Sequence, residues 1–235
     1  MTTRGALRIG LSVAVRSLAE SDSLAPRERR RNAQPIVLLQ GFASSSLVLL
    51  PLEEYLARTL SRPVVRLGLG GGVAAQLGCI KSSAERVMSA IEELAALRGF
   101  EHADVVGHSM GGLVAAWALK ALDSRRRIRR AITLGAPHGG SPLALAGALV
   151  FGAFSRALWQ MVPGSAFLRE LEALPVPEGA ELIAVGADED AIVPRAFARV
   201  SPGPRHHNAV LRRLDHLGLL HRSESLAFVR TALAS

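Results

Sequence analysis

Short, mainly apolar segments alternate with segments of helical spacing along most of this sequence. The run at residues 35–39 is continuously apolar, which is typical of a buried parallel strand because such strands are apolar on both faces. Four further short strands are predicted at residues 63–67, 103–106, 130–134 and 180–185. Helices are predicted at residues 47–60, 82–97, 113–122 and 217–233. The alternation predicts an α/β fold in which a mostly parallel central sheet carries helices on both faces.

The chain of 235 residues has the length of one such domain. We predict that residues 1–33 form an N-terminal extension and that residues 34–235 form the domain. Residues 141–179 contain apolar helical stretches and no clear strand, so a helical cap or lid insertion is predicted there, with an ordinary pair of packing helices as the alternative. A glycine-rich turn is expected at residues 68–72.

A pentapeptide with a central serine, Gly107-His108-Ser109-Met110-Gly111, lies between the third strand and the third helix. The pattern G-x-S-x-G in this context predicts a nucleophile elbow, a sharp turn that exposes the serine in a strained conformation. Small neighbours avoid clashes in such a turn, which explains Gly107 and Gly111. The side chain of His108 should point away from that of Ser109, so we interpret His108 as structural or as lining a pocket.

A serine hydroxyl is a weak nucleophile, so it needs a base that is oriented by an acid. After an elbow serine, the acid and then the histidine follow in chain order. The loop after the fifth strand offers three acids, Asp188, Glu189 and Asp190. An acidic surface loop is the alternative interpretation of this segment.

His216 comes immediately before the last predicted helix, where the base is expected. His206 and His207 lie in a polar Pro-Gly stretch that is typical of a surface loop, and His221 falls inside the apolar helix. Asp215 is adjacent in sequence, but neighbouring side chains diverge, so it is not expected to orient His216. His138 is interpreted, like His108, as structural or pocket lining.

Acyl transfer also needs two N–H donors for the oxyanion that forms at the carbonyl. One is expected from Met110, the residue after the nucleophile, and the other from the loop after the first strand. Gln40-Gly41-Phe42 occupies that loop, which makes the Phe42 N–H the candidate.

Taken together, these stretches resemble the bacterial lipases and esterases of the α/β-hydrolase family, and they occur in the order found in that family. The resemblance implies an α/β-hydrolase fold with Ser109, Asp190 and His216 as the triad and Asp188 as the second choice of acid. It also implies a lid within 141–179. The first motif is often His-Gly in the family, whereas this chain has Gln40-Gly41. The matching stretches are 39–42, 106–113, 134–141, 190–194 and 216–218.

The function expected from this resemblance is hydrolysis of carboxylic esters, with a lipid ester or another small ester as substrate. An acyltransferase, a thioesterase or an amidase could use the same triad, and a non-catalytic binding module is a further alternative. Some related lipases carry a structural calcium ion. No carboxylate set for one can be located here, so neither a metal nor a cofactor is predicted.

The formal net charge of +8 comes almost wholly from arginine. A solvated arginine-rich surface is the first interpretation, and contact with an acidic partner such as a membrane surface is the alternative. The arginine runs at 27–31 and 125–127 have no interleaved aromatic residues, so nucleic acid is not an expected partner. Cys79 is the only cysteine, and residues 6–19 lack the clean pattern of an export signal. These features favour the cytoplasm and the family resemblance favours the envelope or exterior, so the location stays open.

Overall fold

A computed structural model of the protein describes residues 33–69, 78–151 and 155–235. Nearly all of the predicted extension at 1–33 and most of the predicted glycine-rich turn at 68–72 lie outside these residues.

Six strands form one sheet in which every neighbouring pair is parallel. The spatial order is β2-β1-β3-β4-β5-β6, so β1 lies between β2 and β3. The strands are β1 (Ile36–Leu39), β2 (Val64–Leu67), β3 (Ala103–His108), β4 (Ile128–Leu134), β5 (Glu181–Ala187) and β6 (His206–Leu211). The predicted parallel sheet is therefore confirmed.

Eight α-helices connect the strands or follow them in the described part of the chain. They are α1 (Leu50–Thr59), α2 (Ile80–Arg98), α3 (Met110–Trp117), α4 (Pro142–Phe151), α5 (Arg156–Gln160), α6 (Ala166–Ala173), α7 (Gly218–His221) and α8 (Ser223–Ala234). A 3-10 turn at Ser46–Leu49 precedes α1, and one π-helical turn at Ala118–Leu122 continues α3.

Alternate residues of β1 show how the sheet separates two layers of helices. Val37 and Leu39 belong to the core that contains α2, α3, α5 and α6. Ile36 and Leu38 belong to the opposite core, with α1, α7 and α8. All four side chains are fully buried, which is why β1 has a continuous apolar sequence instead of an alternating one.

Two sequence predictions fail at the C-terminal end of the chain. His206 and His207 were expected in a surface loop, but they begin β6. This strand lies at the sheet edge and is largely exposed, so its sequence is more polar than that of the predicted strands. The helix predicted at 217–233 is interrupted at Arg222, whose extended backbone separates α7 from α8.

A buried carboxylate joins several elements at the amino ends of the strands. Asp104 in β3 is fully buried and accepts hydrogen bonds from Arg62 (2.6 Å) and Arg129 (2.9 Å). Arg62 also donates to the carbonyl of Leu233 near the end of α8 (3.0 Å). Burying a carboxylate is costly unless it is paired, and here two guanidinium groups pair with it. The candidate site lies at the opposite edge of the sheet, at the carboxyl ends of the strands.

The helices of the described residues include none with the length and apolarity needed to cross a membrane.

Candidate active site

The site lies where the chain connections leave the sheet in opposite directions. From β1 the chain passes to β2 on one side, and it then returns to β3 on the other side of β1. The carboxyl ends of β1 and β3 therefore border a topological switch point, where open parallel sheets leave a crevice. Gly41 follows β1 and Ser109 follows β3, so both stand at this crevice.

Ser109 occupies the sharp turn between β3 and α3. Its backbone has φ 54° and ψ −125°, in the positive-φ region that disfavours residues with a side chain. The Ser109 N–H donates to the carbonyl of Leu134 at the end of β4 (2.8 Å), and its own carbonyl accepts from the Gly112 N–H (2.9 Å). These bonds hold the strained turn in place.

The glycines around Ser109 are required by close packing of backbone on backbone. A Cβ atom on Gly107 would lie 2.3 Å from the carbonyl oxygen of Gly111. A Cβ atom on Gly111 would lie 2.4 Å from the carbonyl oxygen of Gln40. The second contact shows that α3 begins directly against the end of β1, which fixes the elbow relative to the Gln40-Gly41-Phe42 loop.

The loop after β1 passes directly beside Ser109. A Cβ atom on Gly41 would lie 3.1 Å from the Cβ atom of Ser109, so Gly41 permits an approach that a larger residue would hinder. Within the described residues, nothing accepts a hydrogen bond from the Phe42 N–H. That N–H is therefore available to a ligand at the crevice.

Gln40 stands where the resemblance leads us to expect histidine. It is buried, and its side-chain amide lies against the end of β2. When the amide is assigned the orientation that satisfies both of its ends, the nitrogen donates to the carbonyl of Leu67 (3.1 Å) and the oxygen accepts from the Leu69 N–H (3.3 Å). In that orientation glutamine ties the loop after β1 to the end of β2.

Asp190 and His216 form a buried pair. His216 Nδ1 donates to Asp190 Oδ2 at 2.7 Å, and the Asp190 side chain is fully buried. The other carboxylate oxygen, Oδ1, accepts from the N–H groups of Ile192 (2.9 Å) and Val193 (2.7 Å). The carboxylate is therefore fixed from both sides, and it determines which nitrogen of His216 carries the proton.

The competing acids point elsewhere. Asp188 Oδ1 accepts from the Arg213 N–H (2.6 Å) in the turn after β6. Glu189 is exposed on the surface of the same loop. Asp215 Oδ1 accepts from the Gly218 N–H (2.7 Å) at the start of α7.

The His216 ring lies near the elbow, next to Gly135 and His108. A Cβ atom on Gly135, which follows the Leu134 carbonyl that holds Ser109, would lie 3.1 Å from Nδ1 and Cε1 of His216. The Ser109 hydroxyl forms no hydrogen bond to His216 or to any other described residue. Nucleophile–base contacts are commonly long without substrate and tighten when it binds.

Two further histidines have lowered pKa values: His108 is buried beside His216, and His138 is partly exposed. His108 Nε2 donates to the main-chain carbonyl of His216 (3.0 Å), and burial followed by the nearby His216 lowers the pKa of His108 to about 4. His138 shares a hydrogen bond with Thr133 Oγ1 (2.9 Å), and burial lowers the pKa of His138 to about 3, with smaller contributions from Lys120 and His206. Both rings are neutral at pH 7.

Solved structures of similar shape include several lipases and an esterase. Bacillus licheniformis lipase BlEst2 in mature form matches with a TM-score of 0.70 at 16% identity, over 86% of this chain and 92% of that one. Aspergillus fumigatus lipase B matches with a TM-score of 0.69 at 20% identity, over 91% of this chain and 55% of that one. Paleococcus ferrophilus monoacylglycerol lipase matches with a TM-score of 0.57 at 15% identity, over 87% and 95%. The chain has the α/β-hydrolase fold.

Sequence comparisons are consistent with this α/β-hydrolase fold. Residues 71–166, less than half of the chain, match the family model for the PGAP1-like alpha/beta domain. No curated protein matches the chain in sequence. The predicted resemblance to lipases and esterases of the α/β-hydrolase fold is thus confirmed.

Two residues of this α/β-hydrolase site were not assigned a specific role from the sequence. His108 was interpreted only as structural or pocket lining, although it binds the carbonyl of a residue 108 positions away. Gly135 lies in the stretch that carried the family resemblance, yet its closeness to His216 depends on the loop after β6. In both cases the role depends on a contact between residues that are far apart in the chain, and a single sequence does not reveal such contacts.

Proposed function

We propose that this protein is a serine hydrolase that cleaves carboxylic esters through Ser109, His216 and Asp190. The observation that carries the proposal is the 2.7 Å bond between His216 and a fully buried Asp190, at the sheet edge where Ser109 has a strained elbow backbone. Backbone strain of this kind persists where the surrounding structure enforces it, and functional sites are where it concentrates.

In the proposed mechanism, Ser109 Oγ attacks the ester carbonyl carbon while its proton passes to His216 Nε2. Asp190 keeps the Nδ1 proton in place and stabilises the imidazolium that forms. The tetrahedral intermediate then collapses, and His216 returns the proton to the departing alcohol. Water attacks the acyl-enzyme by the same route, which releases the acid and restores Ser109.

The oxyanion of this intermediate would be held by the N–H groups of Phe42 and Met110. Support comes from the position of Gly41 against Ser109 and from the free Phe42 N–H. Met110 begins α3, so its N–H is one of the first-turn donors that have no partner within the helix. In a site that excludes water, each such donor contributes several kcal/mol at the transition state, on the order of 3 kcal/mol.

A lipid ester is the proposed substrate, and α4 is the proposed lipid-facing part of a lid within 141–179. Small residues of α4, Ala144 and Ala148, are buried, whereas Leu143 and Leu149 are 55% and 73% exposed. Ser141 connects this helix to the acid loop, because its Oγ donates to the Ile192 carbonyl (2.7 Å). An exposed apolar face so close to the proposed triad fits contact with a lipid or membrane surface.

The proposal is tested with p-nitrophenyl esters from acetate to palmitate, comparing the wild type with Ser109→Ala. Turnover should fall by at least about 10⁴-fold in the variant, because removal of a triad member leaves only oxyanion stabilisation and binding. Circular dichroism and thermal unfolding of the variant serve as controls for folding. The chain length with the highest kcat/KM distinguishes a short-chain esterase from a lipase.

Equal turnover by the wild type and Ser109→Ala would overturn the proposal. If the wild type hydrolyses no ester but a fluorophosphonate labels Ser109, the same triad acts on another acyl group, as in an acyltransferase, thioesterase or amidase. Failure of both assays would favour the binding-module alternative.

A further inference from the structure

His108 is packed between two of the loops that build the proposed site. It is the last residue of β3, immediately before Ser109, and its side chain is buried. On one side its ring centroid lies 4.6 Å from that of His216, with the ring planes inclined at 52°. On the other side, a Cβ atom on Gly41 would lie 3.4 Å from His108 Nδ1. The ring thus separates the loop after β1 from the loop that carries His216.

The single N–H of this ring has a defined partner. His108 Nε2 donates to the main-chain carbonyl of His216 at 3.0 Å, while the side chain of His216 bonds to Asp190. A neutral imidazole carries only one N–H, so a donor at Nε2 leaves Nδ1 without a proton. A neutral ring also places no positive charge beside His216 when His216 takes the Ser109 proton.

We propose that His108 is a positioning residue that fixes the backbone of His216 relative to Ser109 and the Gly41 loop. This inference rests on the proposed function, because positioning has a consequence only if His216 is the base. The Asp190 bond fixes the ring at Nδ1, and the His108 bond fixes the main chain from which that ring extends. With both anchors in place, Nε2 of His216 has a defined direction relative to the elbow.

The test compares two variants of nearly equal volume, His108→Gln and His108→Met. The terminal amide nitrogen of glutamine is as many bonds from Cβ as Nε2 of histidine, so glutamine retains a donor for the His216 carbonyl. Methionine fills the same space without a donor. The matched pair therefore separates the hydrogen bond from the packing of the ring.

We expect His108→Met to lower kcat by about 10- to 100-fold with KM changed by less than about twofold, because a small misplacement of a catalytic group costs about that much. His108→Gln should restore most of the lost turnover. Active-site titration with a fluorophosphonate normalises each rate to folded, reactive protein. Equal kcat values for the two variants would overturn the proposal, since packing alone would then explain the role of His108.

A second measurement does not depend on turnover. In proton NMR spectra, a hydrogen bond between imidazole Nδ1–H and a carboxylate gives a low-field signal, which here reports the His216–Asp190 pair. The signal should persist in the wild type and in His108→Gln, and it should broaden or disappear in His108→Met. If the wild type hydrolyses no ester, this comparison still tests whether His108 fixes His216. An unchanged signal in His108→Met would overturn the positioning role.

Discussion

At the residue scale, the site depends on positions where a side chain cannot be accommodated. Gly135 has φ +59°, and a Cβ atom there would lie 3.0 Å from Leu219 Cδ1 and 3.1 Å from the ring of His216. A methyl group at this position would push against the proposed base. Gly179 also has a positive φ, +81°, but nothing lies within 4 Å of its Cβ position. A comparison of substitutions at these two glycines therefore distinguishes the effect of backbone strain from the effect of contact with His216.

We predict that Gly135→Ala lowers kcat by at least about tenfold, whereas Gly179→Ala leaves kcat near the wild-type value. Both variants should lose about 1–2 kcal/mol of unfolding free energy, because both place a side chain in the left-handed region. Steady-state kinetics and urea unfolding of the two variants provide the comparison. Equal kcat values would mean that His216 has room to tolerate the added methyl group.

At the scale of the element, α4 has an unusual distribution of residue sizes. Ala144 and Ala148 face the core, whereas Leu143, Leu145 and Leu149 face outward, the reverse of an ordinary surface helix. No charged residue occurs from Gly139 to Ser155, so nothing in that stretch of sequence discourages contact with an apolar phase. By contrast, α5 and α6 contribute Leu158, Phe167 and Leu171 to the main core, and that part of 141–179 packs like ordinary helices.

We predict that the double substitution Leu143→Ser and Leu149→Ser weakens binding to phosphatidylglycerol–phosphatidylcholine vesicles by at least about tenfold. Each leucine would lose about 1–2 kcal/mol of transfer free energy, because only part of each side chain is exposed before binding. Turnover of a long-chain ester in those vesicles should fall in parallel, while turnover of soluble p-nitrophenyl acetate should not.

The control is Leu97→Ser, which removes a leucine that is 63% exposed at the end of α2. Because β3 begins soon after this helix, Leu97 lies near the amino ends of the strands, away from the site. A similar loss of vesicle binding in the control would show that the effect is not specific to α4.

The elements also show what a single sequence can predict. β1 was found because burial on both faces requires a continuous apolar run, which residues 35–39 have. β6 was missed because an edge strand is largely solvent-exposed, so His206 and His207 carry no strand signal. For the acid of the proposed site, residue order alone left three neighbouring carboxyl groups open. Only Asp190 is buried against His216, and that choice depends on how the loop folds.

At the scale of the whole molecule, histidines that stay neutral in the folded protein make stability depend on pH. The pKa values of His108 and His138 are lowered to about 4 and about 3, against 6.5 for an unperturbed histidine. Above pH 6.5 both rings are neutral in the folded and unfolded states, so they add no pH dependence. As the pH falls below 6.5, the unfolded chain takes up protons that the folded protein excludes, and the unfolding free energy decreases.

We predict that the unfolding free energy falls by about 4 kcal/mol from pH 7 to pH 5, at roughly 1.4 kcal/mol per pH unit and per histidine below pH 6.5. Urea denaturation at the two pH values measures this change. His138→Gln, which keeps a polar group near Thr133 but does not titrate, should reduce the pH dependence by about half. A pH dependence that is unchanged in this variant would contradict the assignment to His138.

The order of strands in the sheet has a consequence for synthesis of the chain. β1 is synthesised before its neighbours β2 and β3, which end at residues 67 and 108. It therefore cannot form its sheet hydrogen bonds until those strands have been made. Ser109 is synthesised 81 residues before Asp190 and 107 residues before His216. The Arg62–Leu233 bond closes only after Leu233 has been made. A nascent chain would therefore present Ser109 before its proposed base exists, and reactivity should arise only after the loop with His216 has left the ribosome.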